Sequence, residues 1–309
     1  MKKKISKTNL YPKWQETANR WQVFPAPLRP TLNECQIYKE MIEKVLKGKK
    51  KPKILLLGAT PEIRDMLFTQ TILRGARIYL LDISPVMIKA MSEILGFKNP
   101  KEKPVIGNWL NMSFKDKTFD VVLGDVVLEN VPRERKEDFL KEIKRVLKDE
   151  GYFISRFQFV TPDLKNFKIE KSLKKYSRFY LQGKINFKQL VMFVESDLWR
   201  SSYYKGDGAS SLASYEKDLR HFRNSTKNPL YKLVIDKLLD YFKFVLKNKW
   251  YLFEKNKLDK FLRKHFSVRS IKYPNDHYFA KVCPIYLLKK IYFLDNKILS
   301  FKIKDDGIR

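Results

Sequence analysis

The sequence predicts an α/β fold built on a mostly parallel sheet, and three observations carry that reading. Residues 53–62, KILLLGATPE, set a continuous apolar run ahead of a glycine and a helix start. A second apolar run, RIYLL at residues 77–81, ends on Asp82 and is again followed by a cap-and-proline helix start. Two further runs, VIGNWL at 105–110 and FDVVLGD at 119–125, continue the series. Strands that alternate with helices form a sheet covered on both faces, and unbroken apolar runs are what such buried strands look like.

The first unit is the most informative. Gly58 breaks the apolar run, Thr60 is a good N-cap, and Pro61 stands at the first helical position, where its missing N–H costs nothing. A strand, a glycine turn and a helix start make a nucleotide-type loop in which the backbone N–H groups of Gly58, Ala59 and Thr60 face outward at the sheet's carboxyl edge. The dinucleotide fingerprint needs glycines where this chain has Thr60 and Ile63, and the Gly-Lys-Ser/Thr ending of a phosphate loop is missing as well. Glu62 adds a carboxylate in the first helical turn, which repels a pyrophosphate and suits a ligand bearing an ammonium and a sulfonium. That points to S-adenosylmethionine rather than NAD, although Glu62 taken alone also complements the helix dipole. Asp82, with Ile83 beside it, stands a little beyond the roughly 20-residue spacing at which an acid meets ribose hydroxyls. Ser84 and Pro85 then open a helix with Met87, Ala90, Met91 and Leu95 at helical spacing up to Gly96.

With these residues in place, the chain resembles the class I S-adenosylmethionine-dependent methyltransferases over residues 53 to about 160. The resemblance implies a Rossmann-like sheet with an N-terminal helical lid and a large, mostly helical insertion before the last strands. It implies that Asn108, at the end of the third strand, meets the adenine through its amide, with Trp109 as a flat wall for the purine. It also implies that Gly124 and Asp125, ending the fourth strand, face the methionine end of the cofactor or the acceptor. The chain is similar to a prokaryotic group with an LGxTPE loop and an upstream PLRPS/T segment, here residues 27–31. It departs from the usual glycine loop by keeping Gly58 alone.

The rest of the chain frames that core. Residues 52–160 read as the cofactor-binding unit, 1–51 as an N-terminal lid, 161–265 as an acceptor-side helical elaboration, and 266–309 as strands completing the sheet. In the lid, Thr31 and Glu34 make a capping box for a helix with Tyr38, Met41, Ile42, Val45 and Leu46 on one face. Ahead of it lie Tyr11, Trp14, Trp21 and Phe24, and Arg29 is placed either to reach the ligand's carboxylate or to make a structural salt bridge. An amphipathic helix over residues 133–147 follows the fourth strand, with Gly151 as the turn into the fifth. In the insertion, Gly183 marks a turn, and Leu190, Val191, Val194 and Leu198 share a helix face. Asn228 and Pro229 open a long helix running towards Phe253, and Tyr176, Tyr180, Trp199, Tyr203 and His221 are acceptor-side candidates. Near the end, two of FSVRSIKYP, HYFAKVCPIYLLKK and a hairpin at Asp295 and Asn296 form an antiparallel pair.

Composition bounds the function. With 44% hydrophobic and 14% aromatic residues over 309 positions, the chain can bury a sizeable core. Two cysteines, Cys35 and Cys283, suggest neither a disulfide framework nor a metal site, which fits a reducing, cytoplasmic setting. The basic N-terminus lacks an apolar h-region, and no run of about 18 apolar residues suggests a membrane span. The formal charge of +30 is uneven: residues 52–160 carry 18 basic and 15 acidic side chains, a surplus of 3, whereas 161–265 carry 24 and 11. A basic flank suits RNA, but Lys outnumbers Arg by 48 to 16, and base-edge reading favours Arg. The N/D-P-P-Y/F signature of amino-methylating enzymes is replaced by Asp125-Val126-Val127-Leu128, no cysteine nucleophile lies near, and no strong general base is evident. The expected activity is methyl transfer to a small-molecule acceptor. The alternatives are an RNA-modifying methyltransferase and a cofactor-binding protein without catalysis.

Overall fold

A computed structural model describes residues 21, 27–69, 75–97, 102–206, 209–245 and 249–291. The aromatic positions Tyr11, Trp14 and Phe24 and the hairpin at Asp295 and Asn296 lie outside them. Seven strands form one sheet: β1 (Lys53–Leu57), β2 (Arg77–Asp82), β3 (Glu102–Ile106), β4 (Phe119–Asp125), β5 (Leu147–Arg156), β6 (Phe266–Lys272) and β7 (Ile285–Lys290). Their spatial order is β3-β2-β1-β4-β5-β7-β6. The first five pair in parallel, and β7 runs antiparallel to both β5 and β6.

This order puts β1 between β2 and β4, where the chain's winding direction reverses, so a crevice opens outside the carboxyl ends of those strands. Register aligns Leu57 with Leu81 on one side and with Gly124 on the other. Gly58, Asp82 and Asp125 therefore stand in one row along the edge.

Both faces are covered because each strand's side chains alternate. Ile54 and Leu56 pack with Leu80, Val121, Leu123 and Ile154 beneath α1 (Leu32–Leu46), α2 (Pro61–Thr69) and α3 (Pro85–Glu93). Leu55 and Leu57 belong to the other core, with Phe139, Leu140, Ile143 and Val146 of α4 (Lys136–Val146) and with the inserted helices. All four of these β1 side chains are fully buried, and truncating any one to alanine costs about 2–5 kcal/mol.

Residues 161–265 hold α5 (Ile169–Leu181), α6 (Phe187–Ser202), α7 (Glu216–Ser225), α8 (Pro229–Val245) and α9 (Lys255–Arg263). Gly183 takes φ +69 at the turn between α5 and α6, and Asn186 with Gln189 forms a capping box. Asn228 Oδ1 accepts from the N–H groups of Leu230 and Tyr231, so the Asn-Pro start of α8 works as its sequence suggests. A short parallel pair, Phe159–Val160 with Phe253–Glu254, ties the insertion to the end of β5.

Several boundaries differ from the sequence reading. The third strand ends at Ile106, so Asn108 and Trp109 lie in the loop beyond it. Gly151 sits inside β5 at an irregular step, where an added Cβ would come within 2.8 Å of the Lys148 carbonyl oxygen. The backbone doubles against itself there, which is why the local signal resembled a turn. α8 ends at Val245, short of Phe253, and HYFAKVCPIYLLKK is a strand only over Ile285–Lys290. The N-terminal helix is part of the layer against the sheet: Tyr38, Ile42 and Leu46 are fully buried against β1, β4 and β5 side chains.

Candidate cofactor and acceptor site

The glycine turn is built as its sequence requires. Gly58 has φ +84, a left-handed conformation that side-chain-bearing residues avoid, and its N–H donates to the Leu81 carbonyl at 2.9 Å. Trp109 Nε1 donates to the same carbonyl at 2.9 Å, and its ring would lie 3.7 Å from a Cβ placed on Gly58. Trp109 thus walls the crevice between the ends of β1 and β2. Ala59 and Thr60 are buried behind the turn, and Ile83 is exposed at its mouth.

Four carboxylates converge on this edge. Glu62, in the first turn of α2, accepts through Oε1 from Arg29 Nε at 2.6 Å and from Trp21 Nε1 at 3.3 Å, while its buried Oε2 has no hydrogen-bond partner among the described residues. Asp82, 8% exposed, accepts from the Ser84 N–H at 2.8 Å, and Ser84 in turn caps α3 by accepting from the Met87 N–H. Burial pushes the Asp82 carboxyl up to about 6, against the backbone hydrogen bonds from Ser84 and Ile83. Asp125 and Glu34 flank Arg156, whose side chain is completely enclosed.

That enclosed group is the part the sequence did not reveal. Arg156 clamps Asp125 through two hydrogen bonds, Nε to Oδ1 at 2.7 Å and Nη2 to Oδ2 at 3.1 Å. Its Nη1 reaches both oxygens of Glu34, at 2.9 and 2.8 Å. The Tyr38 hydroxyl donates to the Gly124 carbonyl at 2.6 Å and accepts from the Arg156 N–H at 2.7 Å. His277 Nε2 lies 3.2 Å from Glu34 Oε1. Burial alone would raise the Glu34 carboxyl, but Arg156, His277 and the Thr31 N–H together hold it down to about 2. Burial instead dominates at Asp125, pushed up to about 6 against Arg156, with Glu34 and Glu62 adding to the rise.

Two sequence expectations change here. Gly124 is glycine because a Cβ would come 2.6 Å from Val127 Cγ2, so the turn after β4 accounts for it by self-packing. In that turn Val126 adopts φ +53, a costly conformation for a β-branched residue, of the kind that recurs at functional sites. Both Asp125 oxygens are engaged by Arg156. The Asn108 amide oxygen accepts from the Leu110 N–H at 2.9 Å and so holds its own loop. Arg29 makes the salt bridge to Glu62 that was one of its two readings.

The edge nonetheless fits a cationic ligand. Glu62 pairs with Arg29, Glu34 and Asp125 share Arg156, and Asp82 along the same edge is held, among the described residues, by backbone N–H groups alone. Cys35 registers the field: burial first, then Glu62, Asp125 and Glu34, push its thiol up to about 12. The orphaned Glu62 oxygen is a buried acceptor awaiting a donor.

A second buried pair follows β4. Glu129 Oε1 accepts from the Gln158 N–H at 2.6 Å, its backbone carbonyl accepts from the Tyr251 N–H, and Oε2 is buried without a hydrogen-bond partner. Lys136 donates to the Leu128 carbonyl and lies 5.1 Å from the Phe253 ring centroid. Burial drives both groups toward neutrality, raising the acid and lowering the amine. A strong base was not evident from sequence because this carboxylate meets its partner, the Gln158 N–H, 29 positions on, just past the end of β5. Of the acceptor-side candidates, Tyr176 lines a pocket described below, Trp199 stacks on Trp250 at 5.5 Å, Tyr203 is buried beside Tyr204, Tyr180 is half-buried and His221 faces solvent.

Residues 65–155, from α2 through β5, match the model of a methyltransferase domain family. Over that stretch the chain is similar to the methyltransferase domain family. Over 149 residues this chain is 30% identical to mouse (Mus musculus) eEF1A lysine and N-terminal methyltransferase, a stretch covering 46% of this chain and 21% of that relative. The chain thus spans about a fifth of the length of the curated relative it matches. A Rhodobacter sphaeroides structure named among the Zn-dependent alcohol dehydrogenases superposes with a TM-score of 0.56 at 14% identity, covering 92% of this chain and 100% of the other. At that identity the likeness concerns the fold alone. Among the described residues, no group of three or more His, Cys, Asp or Glu side chains could hold a metal ion. The Burkholderia thailandensis 1,6-didemethyltoxoflavin-N1-methyltransferase, solved with its substrate and S-adenosylhomocysteine, is 10% identical with a TM-score of 0.49, covering 90% of this chain and 87% of its own. S-adenosylmethionine is the cofactor expected of the methyltransferase domain. Among the described residues, no helix is long and apolar enough to cross a membrane.

Proposed function

We propose that this protein is an S-adenosylmethionine-dependent methyltransferase acting on a small-molecule acceptor. The observation that carries the reading is the convergence of carboxylates on the Gly58 turn, with one buried Glu62 oxygen lacking a partner. When bound, the cofactor supplies a methyl group activated by its sulfonium.

The chain's own residues then have distinct tasks. Backbone N–H groups at Ala59 and Thr60 line the turn, where the Gly58 N–H is held by the Leu81 carbonyl, and Glu62 offers negative charge to the ligand's ammonium. Asp82 receives the ribose hydroxyls, with Ile83 at the crevice mouth, and Asn108 and Trp109 receive the purine. The inserted helices exclude water and align the acceptor, and alignment alone can supply several kcal/mol of barrier lowering.

Calorimetric titration with S-adenosylmethionine, S-adenosylhomocysteine and NAD tests the donor first. Asp82→Ala is expected to weaken S-adenosylhomocysteine binding by more than about tenfold, the scale of a lost charged hydrogen bond, with the far-ultraviolet circular dichroism unchanged. An unaltered affinity, or preferential binding of NAD, sinks the assignment.

A further inference from the structure

A pocket of about 420 Å³ lies between α5, α6, the segment after β5 and the segment leading into β7. Its position connects it to the carboxyl edge. The Phe157 N–H donates to the Pro284 carbonyl at 3.0 Å, which brings the loop carrying Tyr278, Phe279 and Lys281 to the end of β5. Burial pushes the Cys283 thiol beside that loop up to about 12, and the charges of Arg156, Glu34 and Arg200 all reach it.

The lining combines rings with cations. Tyr176, Tyr278 and Phe279 supply aromatic surface, and Tyr278 is 43% exposed although its ring stacks on Phe193 at 4.9 Å. Lys175 Nζ lies 5.0 Å from the Tyr176 ring and 5.2 Å from the Tyr278 ring. Among the described residues, neither Lys175 nor Lys281 has a salt-bridge partner, against one such carboxylate in the lining, Asp163.

Arg200 is the centre of the arrangement. Its Nη2 is fixed to Asp197 Oδ1 at 2.8 Å, and its guanidinium lies 5.2 Å from the Phe279 ring centroid. The other Asp197 oxygen is taken by the Ser172 hydroxyl at 2.9 Å, so Asp197 does not compete for more of the guanidinium. Arg200 Nε is buried and has no hydrogen-bond partner. A donor already withdrawn from water and held in place gains most from a charged acceptor oxygen. A cationic ligand would oppose Arg200 and both lysines, and a purely apolar one would leave Nε orphaned.

We propose that this pocket is the acceptor site of the methyltransferase and that it takes a small aromatic ring carrying a carboxylate or phosphate group. The volume suits a one- or two-ring molecule. The anionic group meets the Arg200 guanidinium with Lys175 and Lys281 at the rim, and the ring lies against the tyrosines and Phe279. This assignment rests on the function proposed above and goes further by naming the chemistry of the acceptor.

Titration of the full chain with benzoate, phenyl phosphate, benzyl alcohol and inorganic phosphate tests it, with S-adenosylhomocysteine titrated in the same preparations. At least one of the two aromatic anions is expected to bind with a Kd below about 1 mM, and the preferred one distinguishes carboxylate from phosphate. Benzyl alcohol and inorganic phosphate are expected to bind at least about tenfold more weakly, since each lacks one of the two recognition elements. Lys281→Gln, at an exposed position, is expected to weaken the anion about threefold or more without changing the unfolding midpoint, and Arg200→Gln about tenfold. Equal affinity for benzyl alcohol, or no loss in either variant, overturns the assignment. Binding of S-adenosylhomocysteine with no binding of either aromatic anion defeats this inference while leaving the donor site intact. Binding of an aromatic anion without S-adenosylhomocysteine defeats the methyltransferase reading, and the acceptor role with it.

Discussion

The carboxyl edge and the pocket under the inserted helices use charge in opposite ways. At the edge, Arg156 and Glu34 are fully enclosed and Asp125 almost so, and every guanidinium nitrogen of Arg156 is committed. In the pocket, Lys175 and Lys281 are exposed and Arg200 keeps an uncommitted nitrogen. An enclosed, fully paired network holds geometry and costs heavily when broken, whereas a half-wet cationic rim costs little to alter and is available to a ligand. The difference separates the part of the site that sets shape from the part that sets preference.

The comparison breaks most sharply at Arg156. Arg156→Ala strands Glu34 and Asp125 as buried unpaired carboxylates and is expected to destabilise the fold by about 3–5 kcal/mol in urea unfolding. Lys281→Ala is expected to stay within about 0.5 kcal/mol, and similar losses at both positions would erase the distinction. Acid sharpens it next. Glu34 is held below its ordinary value, so its contribution is fully present above about 4.5 and is lost as pH falls towards about 2. A loss on the order of 3 kcal/mol is expected across that window, measured by urea unfolding at stepped pH, and it should vanish in Glu34→Gln.

Ligand binding gives the smallest effect. Asp82 is raised to about 6, so it is ionised at neutral pH and gains its proton as pH falls through that value. The raised value also means that its ionised form costs stability above the ordinary carboxylate range, the reverse of Glu34. If ribose recognition uses the carboxylate, S-adenosylhomocysteine affinity should drop about tenfold between pH 8 and pH 5. Asp82→Asn should bind weakly and show a flat profile. A wild-type profile that is equally flat removes Asp82 from the ribose contact.

What could be read in the sequence was local. The apolar runs of β1, β2 and β4, the Gly58 turn, and the Ser-Pro and Asn-Pro helix starts each declare themselves within a few residues. What escaped was long-range. Glu34 was fully accounted for as the third residue of a capping box, and that hydrogen bond is present, with the Thr31 N–H donating at 2.8 Å. Its pairing with Arg156 spans 122 positions, which no periodicity encodes. A trace existed in FISRFQF, where a charge interrupts an apolar strand. The pocket was harder still, because its lining comes from four separate segments and only Tyr176 had been singled out.

The bridge from Glu34 to Arg156 and His277 also bears on the order in which the molecule assembles. Glu34 sits in α1, yet its partners lie 122 and 243 positions downstream. Until β5 has been made and has paired with β4, that carboxylate has only the Thr31 N–H and solvent to bind, and the Tyr38 hydroxyl lacks its Arg156 N–H donor. The polar contacts of α1 are therefore complete only once β5 and the segment carrying His277 are in place. Removing α1 as a separable appendage would leave the newly formed sheet with an open, charged end.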